Sequence, residues 1–289
     1  MAVATGMTLS GSLTGIVNDI RTRSYKYLVA EGVTKKLVTP VGVGQKGNKV
    51  TIPLWDPTAR AGTAATEGTD FTGFTSYNSS TREYTSTEWI HGTRLSYNDF
   101  EDASESVRDE HARMHGIVHG KKIEKKICAT FASFTTNTIT ATSTSGLTVA
   151  KLAAAKALVE GAANTFAGDP SLIVTPNVWY RLFSNLTQNA NYGVQGSLGD
   201  RVLDAYYQGR VLDTPVFLTK TGITAATSVT CGLFYKDAIG LFMPRDFQLE
   251  QEKNISLRGY ELVSTHRAGA RVHIESAGVK ITTLGSAPS

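Results

Sequence analysis

The sequence predicts an α+β fold in which a polar β-hairpin precedes a long helix and a set of alternating strands. Two segments with strand character, VTIPLW and REYTSTEWIHGTRLS, flank a loop at residues 56–80 and indicate the hairpin. A helical pattern follows from Asn98 to Phe134, and apolar and polar residues alternate in the segments near the C-terminus. A helix that packs on an antiparallel sheet is the arrangement of an α+β protein.

Length and composition are those of a globular protein. The chain has 289 residues, of which 41% are hydrophobic and 19% charged, enough for one large domain or two smaller ones. The net charge of +4 is too balanced to predict nucleic-acid binding by itself. The two cysteines, Cys128 and Cys231, provide neither a disulfide framework nor a zinc site and favour a reducing compartment. With no signal-peptide pattern and no long apolar run, we expect no membrane association.

The hairpin is predicted to need a surface outside its own chain. Residues 1–48 are predicted to form an N-terminal arm that ends in a Gly- and Pro-containing connector. The loop at residues 56–80 is rich in Thr, Ser, Gly and Ala and has too little apolar surface to fold alone. Because isolated hairpins are marginal in water, we expect residues 49–96 to find their core on a neighbouring copy.

Aromatic and charged side chains of the hairpin are the candidate intersubunit contacts. Large aromatic residues dominate interfaces, whereas an exposed ion pair contributes only about 0–1 kcal/mol and chiefly sets register. The aromatic candidates are Trp55, Phe71, Phe74 and Trp89, and the charged ones are Arg60, Glu67, Asp70, Arg82 and Glu83. Their expected partners lie on a neighbour's long helix, at Arg108, Asp109 and Arg113. The alternative is that these charges are simply solvated.

The long helix is predicted to begin with a capping box at Asn98 and Glu101 and to lie across a surface. Its apolar side is predicted first from Phe100, Ala103, Val107, Met114, Ile117 and Val118. The apolar phase then shifts to Ile123, Ile127, Phe131 and Phe134. Three histidines, His111, His115 and His119, recur every four residues, a spacing at which two imidazoles can chelate zinc. Since Ala112 stands where a zincin has glutamate, we expect a solvated or intersubunit face, with no metal and no cofactor.

A basic cluster ends the same helix at Lys121, Lys122, Lys125 and Lys126. It can stabilise the helix C-terminus or make diffuse contact with phosphates, but it lacks the interleaved aromatic residues of a nucleic-acid reader. No nucleophile elbow or phosphate-binding loop supports an enzyme. His266 and His273 lie in alternating strands and are expected at the surface.

The second half of the chain alternates between helices and strands. Thr148 is predicted to cap an Ala-rich helix, SLIVT to form a buried strand, and Pro176 to begin another helix. Four further strand signals follow, FQLEQE, SLRGYELVSTH, GARVHIESA and VKITTL. They predict an antiparallel sheet that supports the long helix.

In this order the elements resemble the tailed-bacteriophage major capsid proteins of the HK97 fold. The resemblance rests on the hairpin as extended E-loop, on NDFEDASESVRDEHARMHGIVHGKKIEKKICATF as spine helix, on LIVTPNVWYRLFSNL and on the C-terminal strands. It implies an N-terminal arm (1–48), an E-loop (49–96), a peripheral domain with the spine helix (97–170), an axial domain (171–243) and a return to the peripheral domain (244–289).

The resemblance also implies a function. Such proteins form pentamers and hexamers that close into an icosahedral shell around double-stranded DNA, with a portal and, in some systems, scaffolding or decoration proteins. It implies a virion protein, assembled in the host cytoplasm, that is not an enzyme. Only about fifty residues precede the E-loop, so a separate scaffolding protein or none is expected. No lysine lies between Lys49 and Lys121, which argues against a covalent crosslink from the loop. The alternatives are an encapsulin-like compartment, a phage tail subunit and, in another class, a metal hydrolase.

Overall fold

Two sheets, one hairpin and a long helix make up the computed structural model, which describes residues 19–28, 33–55, 79–96, 105–142, 146–162, 166–188, 207–224, 226–256 and 258–286. The helices in these ranges are α1 (residues 19–28), α2 (Glu105–Ala129), α3 (Val149–Glu160) and α4 (Pro176–Gln188). The strands are β1 (Thr39–Val41), β2 (Lys49–Trp55), β3 (Ser79–Thr85), β4 (Thr87–Ser96), β5 (Thr138–Ala141), β6 (Ser171–Val174), β7 (Tyr207–Val211), β8 (Thr214–Leu218), β9 (Ser228–Phe234), β10 (Ile239–Asn254), β11 (Gly259–Val272) and β12 (Gly278–Leu284). Among these helices, none combines the length and apolarity that crossing a membrane requires.

The first sheet is four-stranded, in the order β1-β10-β11-β4, and supports helix α2. Strands β10 and β11 form a long antiparallel pair, and β4 adds to β11 from Thr87 opposite Ala268 to Ser96 opposite Gly259. The pairing of β4 corrects the expectation that the whole hairpin region lacks a core on its own chain. Its second half is a sheet strand, hydrogen-bonded along one edge to β11 of the same chain.

The second sheet is six-stranded, in the order β5-β12-β9-β6-β8-β7, with both parallel and antiparallel pairs. Its β6 is buried as predicted, since Leu172, Ile173 and Val174 are at most 1% exposed. The predicted sheet of four C-terminal strands is wrong. The signals from residue 239 onward merge into the two long strands β10 and β11, and VKITTL becomes β12 in the second sheet.

Helix α2 is confirmed in position. The predicted apolar side is wrong in its first half, whereas the predicted shift to Ile123, Ile127, Phe131 and Phe134 is confirmed, since all four are at most 1% exposed. The 25 residues of α2 span about 38 Å, and the proposed cap at Asn98 and Glu101 lies outside the described residues. The buried stripe repeats every three to four residues and consists of Ala112, His115, Gly116, His119, Ile123 and Ile127. Met114, expected inside, is 37% exposed. The helix therefore turns its small and imidazole side chains to the protein.

Helix α1 crosses α2 at Gly116. A Cβ atom at Gly116 would lie 2.7 Å from Tyr27 Cβ and 3.0 Å from the Leu28 backbone nitrogen, closer than real contacts allow. The Tyr27 hydroxyl donates to Asp109 across the same crossing at 2.8 Å. Glycine is thus required here by close approach of two helices.

Candidate assembly surface

The hairpin β2–β3 leaves the body of the protein as a two-stranded ribbon. Its register is continuous from Lys49 opposite Thr85 to Trp55 opposite Ser79. At the base Val50 is 5% exposed and Tyr84 1%, whereas Pro53 and Ser80, nearer the tip, are exposed. The ribbon therefore rests on the protein at one end only and presents its far end to solvent.

Tyr84 holds the base of the ribbon. It is buried with Val41, Val50 and Phe242, and its hydroxyl makes a 2.7 Å hydrogen bond with Nδ1 of His273. Its ring fills the space that a side chain at residue 240 would need, since a Cβ on Gly240 would lie 2.6 Å from the hydroxyl oxygen. Burial raises the pKa of Tyr84 to about 12, so the phenol stays neutral. Sequence reasoning missed this anchor, although a glycine within a strand signals close approach.

Three of the four charged candidates that the structure describes, Glu83, Asp109 and Arg113, already have partners in their own chain. Glu83 pairs with Lys49 at 2.9 Å, and the hydrogen bond from Lys49 lowers the pKa of its carboxyl. On α2, Asp109 accepts from Tyr27, and Arg113 pairs with Glu110 at 2.8 Å. The two ion pairs are exposed, so each contributes little and can exchange partners across an interface at low cost.

Of the remaining intersubunit candidates, two are half-buried in their own chain and the others, or their side chains, lie outside the described residues. Arg82 is half-buried and lines a cavity with Lys126 and Arg271. Trp89 is half-buried against its own chain and stacks on His266, with ring centroids 4.9 Å apart. Five candidates lie outside the described residues, namely Arg60, Glu67, Asp70, Phe71 and Phe74, and so do the side chains of Trp55 and Arg108.

A histidine cluster, defined here as His91, His115, His119 and His266, joins α2 to β4 and β11. His115, His119 and His266 are all 0% exposed, which corrects the expected solvated helix face and the expected surface position of His266. Ser264 links two of them, at 2.6 Å from His115 Nδ1 and 2.7 Å from His119 Nε2. His119 Nδ1 also contacts His266 Nδ1, and Thr93 bonds to His115 Nε2 at 2.9 Å.

Burial keeps these imidazoles neutral. Desolvation lowers the pKa of His115 to about 3, of His119 to about 4 and of His266 to about 3, and the nearby histidines and Lys35 act in the same direction. Within the described residues no set of three His, Cys, Asp or Glu side chains is placed to hold a metal. The arrangement is a polar layer between a helix and a sheet, in which hydroxyl groups contact both ring nitrogens of His115 and Nε2 of His119. Nε2 of His91 and Nε2 of His266 are buried without a hydrogen-bond partner.

A basic groove lies beside the second half of α2. It is a cavity of about 510 Å³ between α2, Trp89 and the segment from Gly222 to Thr230. Lys122, Lys125 and Lys126 line it together with apolar side chains, among them Trp89 and Ile223, and with threonine and serine hydroxyl groups. A second cavity of about 350 Å³ adjoins it through Lys126. The lysines seen in the sequence thus line a concave surface.

The chain is similar to known capsid proteins in sequence pattern and in fold. The family model described as phage capsid protein matches residues 79–281, more than two thirds of the chain. A comparison with curated proteins finds no significant match.

Solved structures with this fold come from several phages and from an archaeon. The capsid of the cyanophage P-SCSP1u superposes with a TM-score of 0.65 at 15% identity, over 88% of this chain and 89% of that one. The capsid of Ralstonia phage GP4 gives 0.63 at 12% identity, over 87% of both chains. A virus-like particle from Pyrococcus furiosus gives 0.57 at 11% identity, over 95% of this chain and 100% of that one.

These likenesses confirm an α+β capsid fold and a structural, non-enzymatic shell subunit that is a component of the virion. The family match covers β3 to β12, and so includes α2, both sheets and the return strand of the hairpin. The chain belongs to the phage capsid protein family.

Proposed function

We propose that this protein is the major capsid protein of a tailed bacteriophage and that it assembles as pentamers and hexamers into an icosahedral shell enclosing double-stranded DNA. The observation that carries the proposal is the projecting ribbon β2–β3, which leads into residues 56–78 and is buried only at its base. A ribbon supported at one end is marginal in water unless another surface covers it. In a closed symmetric shell every copy supplies that surface to a neighbour.

The elements of the HK97 fold are assigned accordingly. The ribbon with its loop is the extended E-loop (49–96), α2 is the spine helix, and residues 1–48 are the N-terminal arm. The first sheet with α2 forms the peripheral domain (97–170 and 244–289), and the six-stranded sheet forms the axial domain (171–243). Because β5 and β12 are hydrogen-bonded to the six-stranded sheet, the axial unit also includes residues 138–141 and 278–284.

The partners follow from the assembly. Each subunit contacts other copies, a portal occupies one vertex, and scaffolding or decoration proteins act as separate chains. Packaged DNA is contacted without sequence specificity, through phosphates and basic side chains. Assembly takes place in the host cytoplasm.

Removal of the loop tests this function. Residues 57–77 are replaced by a short Gly-Ser turn, which leaves β3 and the Tyr84 anchor in place. We expect a folded, soluble protomer by circular dichroism and no shells by electron microscopy. Shells of normal size from this deletion would contradict the proposal. A control deletion of residues 287–289, outside the described ranges, is expected to assemble.

A second candidate is a compartment that encloses proteins instead of DNA. The similarity to the Pyrococcus furiosus virus-like particle, which extends over that entire chain, favours it. The two functions share the shell and differ in its content. Nuclease-treated particles purified from infected cells are expected to contain DNA for a capsid, and a bound protein without DNA for a compartment.

A further inference from the structure

The second cavity, which we call the arginine cavity, collects cationic side chains from three elements. Arg82 lines it from β3, Lys126 from α2 and Arg271 from β11, and its volume is about 350 Å³. The guanidinium group of Arg271 also reaches β3, where Nη1 donates to the Glu83 carbonyl oxygen at 2.9 Å. The base of the ribbon, the long helix and the first sheet therefore bring three positive charges to one concave surface.

The one carboxylate among the described residues that line this cavity is engaged by a turn. Oε1 of Glu275 accepts hydrogen bonds from the Thr135 amide at 2.9 Å and from the Thr136 amide at 3.0 Å, and a further one from the Thr135 hydroxyl group. The bond from the Thr135 hydroxyl group is the main cause that lowers the pKa of the Glu275 carboxyl to about 2. This carboxylate is therefore charged at neutral pH and serves chiefly to hold the turn after α2.

The charges around the arginine cavity do not cancel. Three cations and one carboxylate leave a net charge of +2. Helix α2 ends at Ala129, which also lines the cavity, and the helix dipole places about half a negative charge at that end, so the net charge falls to about +1.5. Cationic groups that share a cavity repel one another, and an anion between them removes this repulsion.

Arg82 supplies a hydrogen-bond donor that lacks an acceptor. Its Nε is buried and makes no hydrogen bond with the described part of the chain. A buried donor without an acceptor is unfavourable, and the planar fork of a guanidinium group matches the oxygen atoms of an oxyanion. The hydroxyl group of Ser133, which also lines the cavity, can donate to the same ligand. The cavity thus offers donors as well as charge.

We propose that the arginine cavity binds a phosphate group through Arg82, Lys126 and Arg271. A phosphate group carries about −1.5 to −2 charges at pH 7, which matches the charge that remains in the cavity. The volume is several times the roughly 30 Å³ that one water molecule occupies in the liquid, so a hydrated phosphate group fits. Free phosphate and the DNA backbone present the same chemistry. The site lies within one chain and does not depend on the proposed function.

A bound phosphate group would also hold the ribbon. It would contact β3, α2 and β11 at once, and β3 belongs to the ribbon whereas the other two belong to the body of the protein. Occupancy of the cavity is therefore expected to reduce opening of the ribbon at its base.

Equilibrium dialysis of the full-length chain against radiolabelled inorganic phosphate, at constant sodium chloride, tests the site. We expect saturable binding of one phosphate per subunit. Arg82→Gln keeps a hydrogen-bonding side chain without the charge and is expected to weaken binding by about tenfold or more. The control Arg94→Gln changes an exposed arginine of β4 that does not line the cavity, and it is expected to bind as the unaltered chain does. Absence of saturable binding, or equal binding by Arg82→Gln and the unaltered chain, would overturn the proposal.

Competition with a short DNA duplex separates the two sources of the phosphate group. Displacement of the labelled phosphate by the duplex would assign the site to the DNA backbone, whereas retention would assign it to free phosphate. Circular dichroism shows whether Arg82→Gln is folded, and Lys126→Gln, at the end of α2, replaces it if it is not.

Hydrogen exchange gives a second measurement. With phosphate present, exchange of the β3 amides is expected to slow in the unaltered chain and to stay the same in Arg82→Gln. Unchanged exchange in the unaltered chain at saturating phosphate would overturn the contact of one ligand with all three elements.

Discussion

Three imidazoles of the histidine cluster are neutral because α2 and β11 bury them. His115, His119 and His266 are fully buried and contact Ser264 or one another. The charged groups that act on them, His91, His111 and Lys35, are cationic or can become so, and they oppose protonation. Protonation of these rings would therefore weaken the packing of α2 on the first sheet.

We expect the free energy of unfolding to fall when the pH drops from 7 to 5. An unfolded histidine has a pKa of about 6.5, whereas the folded values are about 3 to 4. Below pH 6.5 the unfolded chain binds protons that the folded chain excludes, so stability is complete above 6.5 and declines until the folded pKa is reached. At pH 5 each of the three imidazoles lowers the free energy of unfolding by up to about 2 kcal/mol relative to pH 7. Urea unfolding of the protomer at both pH values measures this loss.

A matched variant separates the cluster from other titrating groups. His119→Gln keeps a hydrogen-bonding side chain without a titrating ring, so the drop between pH 7 and pH 5 is expected to be smaller. The exposed change Lys121→Ala is expected to leave the pH dependence unchanged. Equal pH dependence in His119→Gln and the unaltered chain would show that the cluster does not titrate on unfolding.

At the scale of elements, the attachment of the ribbon depends on one side chain. Tyr84→Ala is expected to destabilise the chain by about 3–5 kcal/mol, because it empties the cluster of Val41, Val50 and Phe242 and removes the bond to His273. Hydrogen exchange of the β2 and β3 amides is expected to rise first, with shell assembly lost. Thr85→Ala changes an exposed position on the same strand and serves as the control. Unchanged hydrogen exchange in Tyr84→Ala would show that Tyr84 does not hold the ribbon on the protein.

The crossing of α1 over α2 gives a second prediction at this scale. Gly116→Ala is expected to destabilise the protein by about 1–3 kcal/mol, although alanine favours helices, because the added methyl meets the backbone of α1. Thermal unfolding measures the change. Lys121→Ala, exposed on the same helix, is expected to change stability by less than about 0.5 kcal/mol. Stabilisation by Gly116→Ala would mean that the two helices do not pack at this point.

Local sequence signals predicted the elements where a local interaction forms them. Thr148 caps α3 by accepting from the Lys151 amide at 3.3 Å, Pro176 begins α4, and the β2–β3 pairing follows strand alternation. Hydrophobicity predicted the inward face of α2 at Ile123 and Ile127 but not in its first half, since Gly116 is selected by the approach of α1, and His115 is satisfied by Ser264, 149 residues away. The four-residue spacing of Ala112, Gly116 and Gly120 was the available signal for close packing.

The candidate site was predicted in part. The hairpin and the lysine cluster were found from the sequence, but the concave shape of the groove depends on the loop before β9, which meets α2 only in the folded chain. Likewise, the sequence does not show that β12 pairs with β5 and β9 in the second sheet and not with β10 and β11 in the first. Alternation identifies a strand but not its neighbour.

At the scale of the whole molecule, α2 links two cores. Its Ala112 packs in the cluster with Leu95, Leu249 and Leu262 of the first sheet. Its Ile123 and Ile127 belong to the large core that the six-stranded sheet shares. Displacement of the helix in one core is therefore transmitted to the other, which gives a shell subunit a way to respond as a unit to contacts made at either sheet.

The subunits of the shell are expected to be held together without covalent bonds. Cys128 and Cys231 are buried, and desolvation raises the pKa of both thiols, so neither is available as a thiolate at an interface. The loop offers no lysine between Lys49 and Lys121 for an amide crosslink. Purified shells dissolved in detergent without reductant are therefore expected to run as a single band at 31.0 kDa. A ladder from the unaltered protein would reveal a covalent bond between subunits.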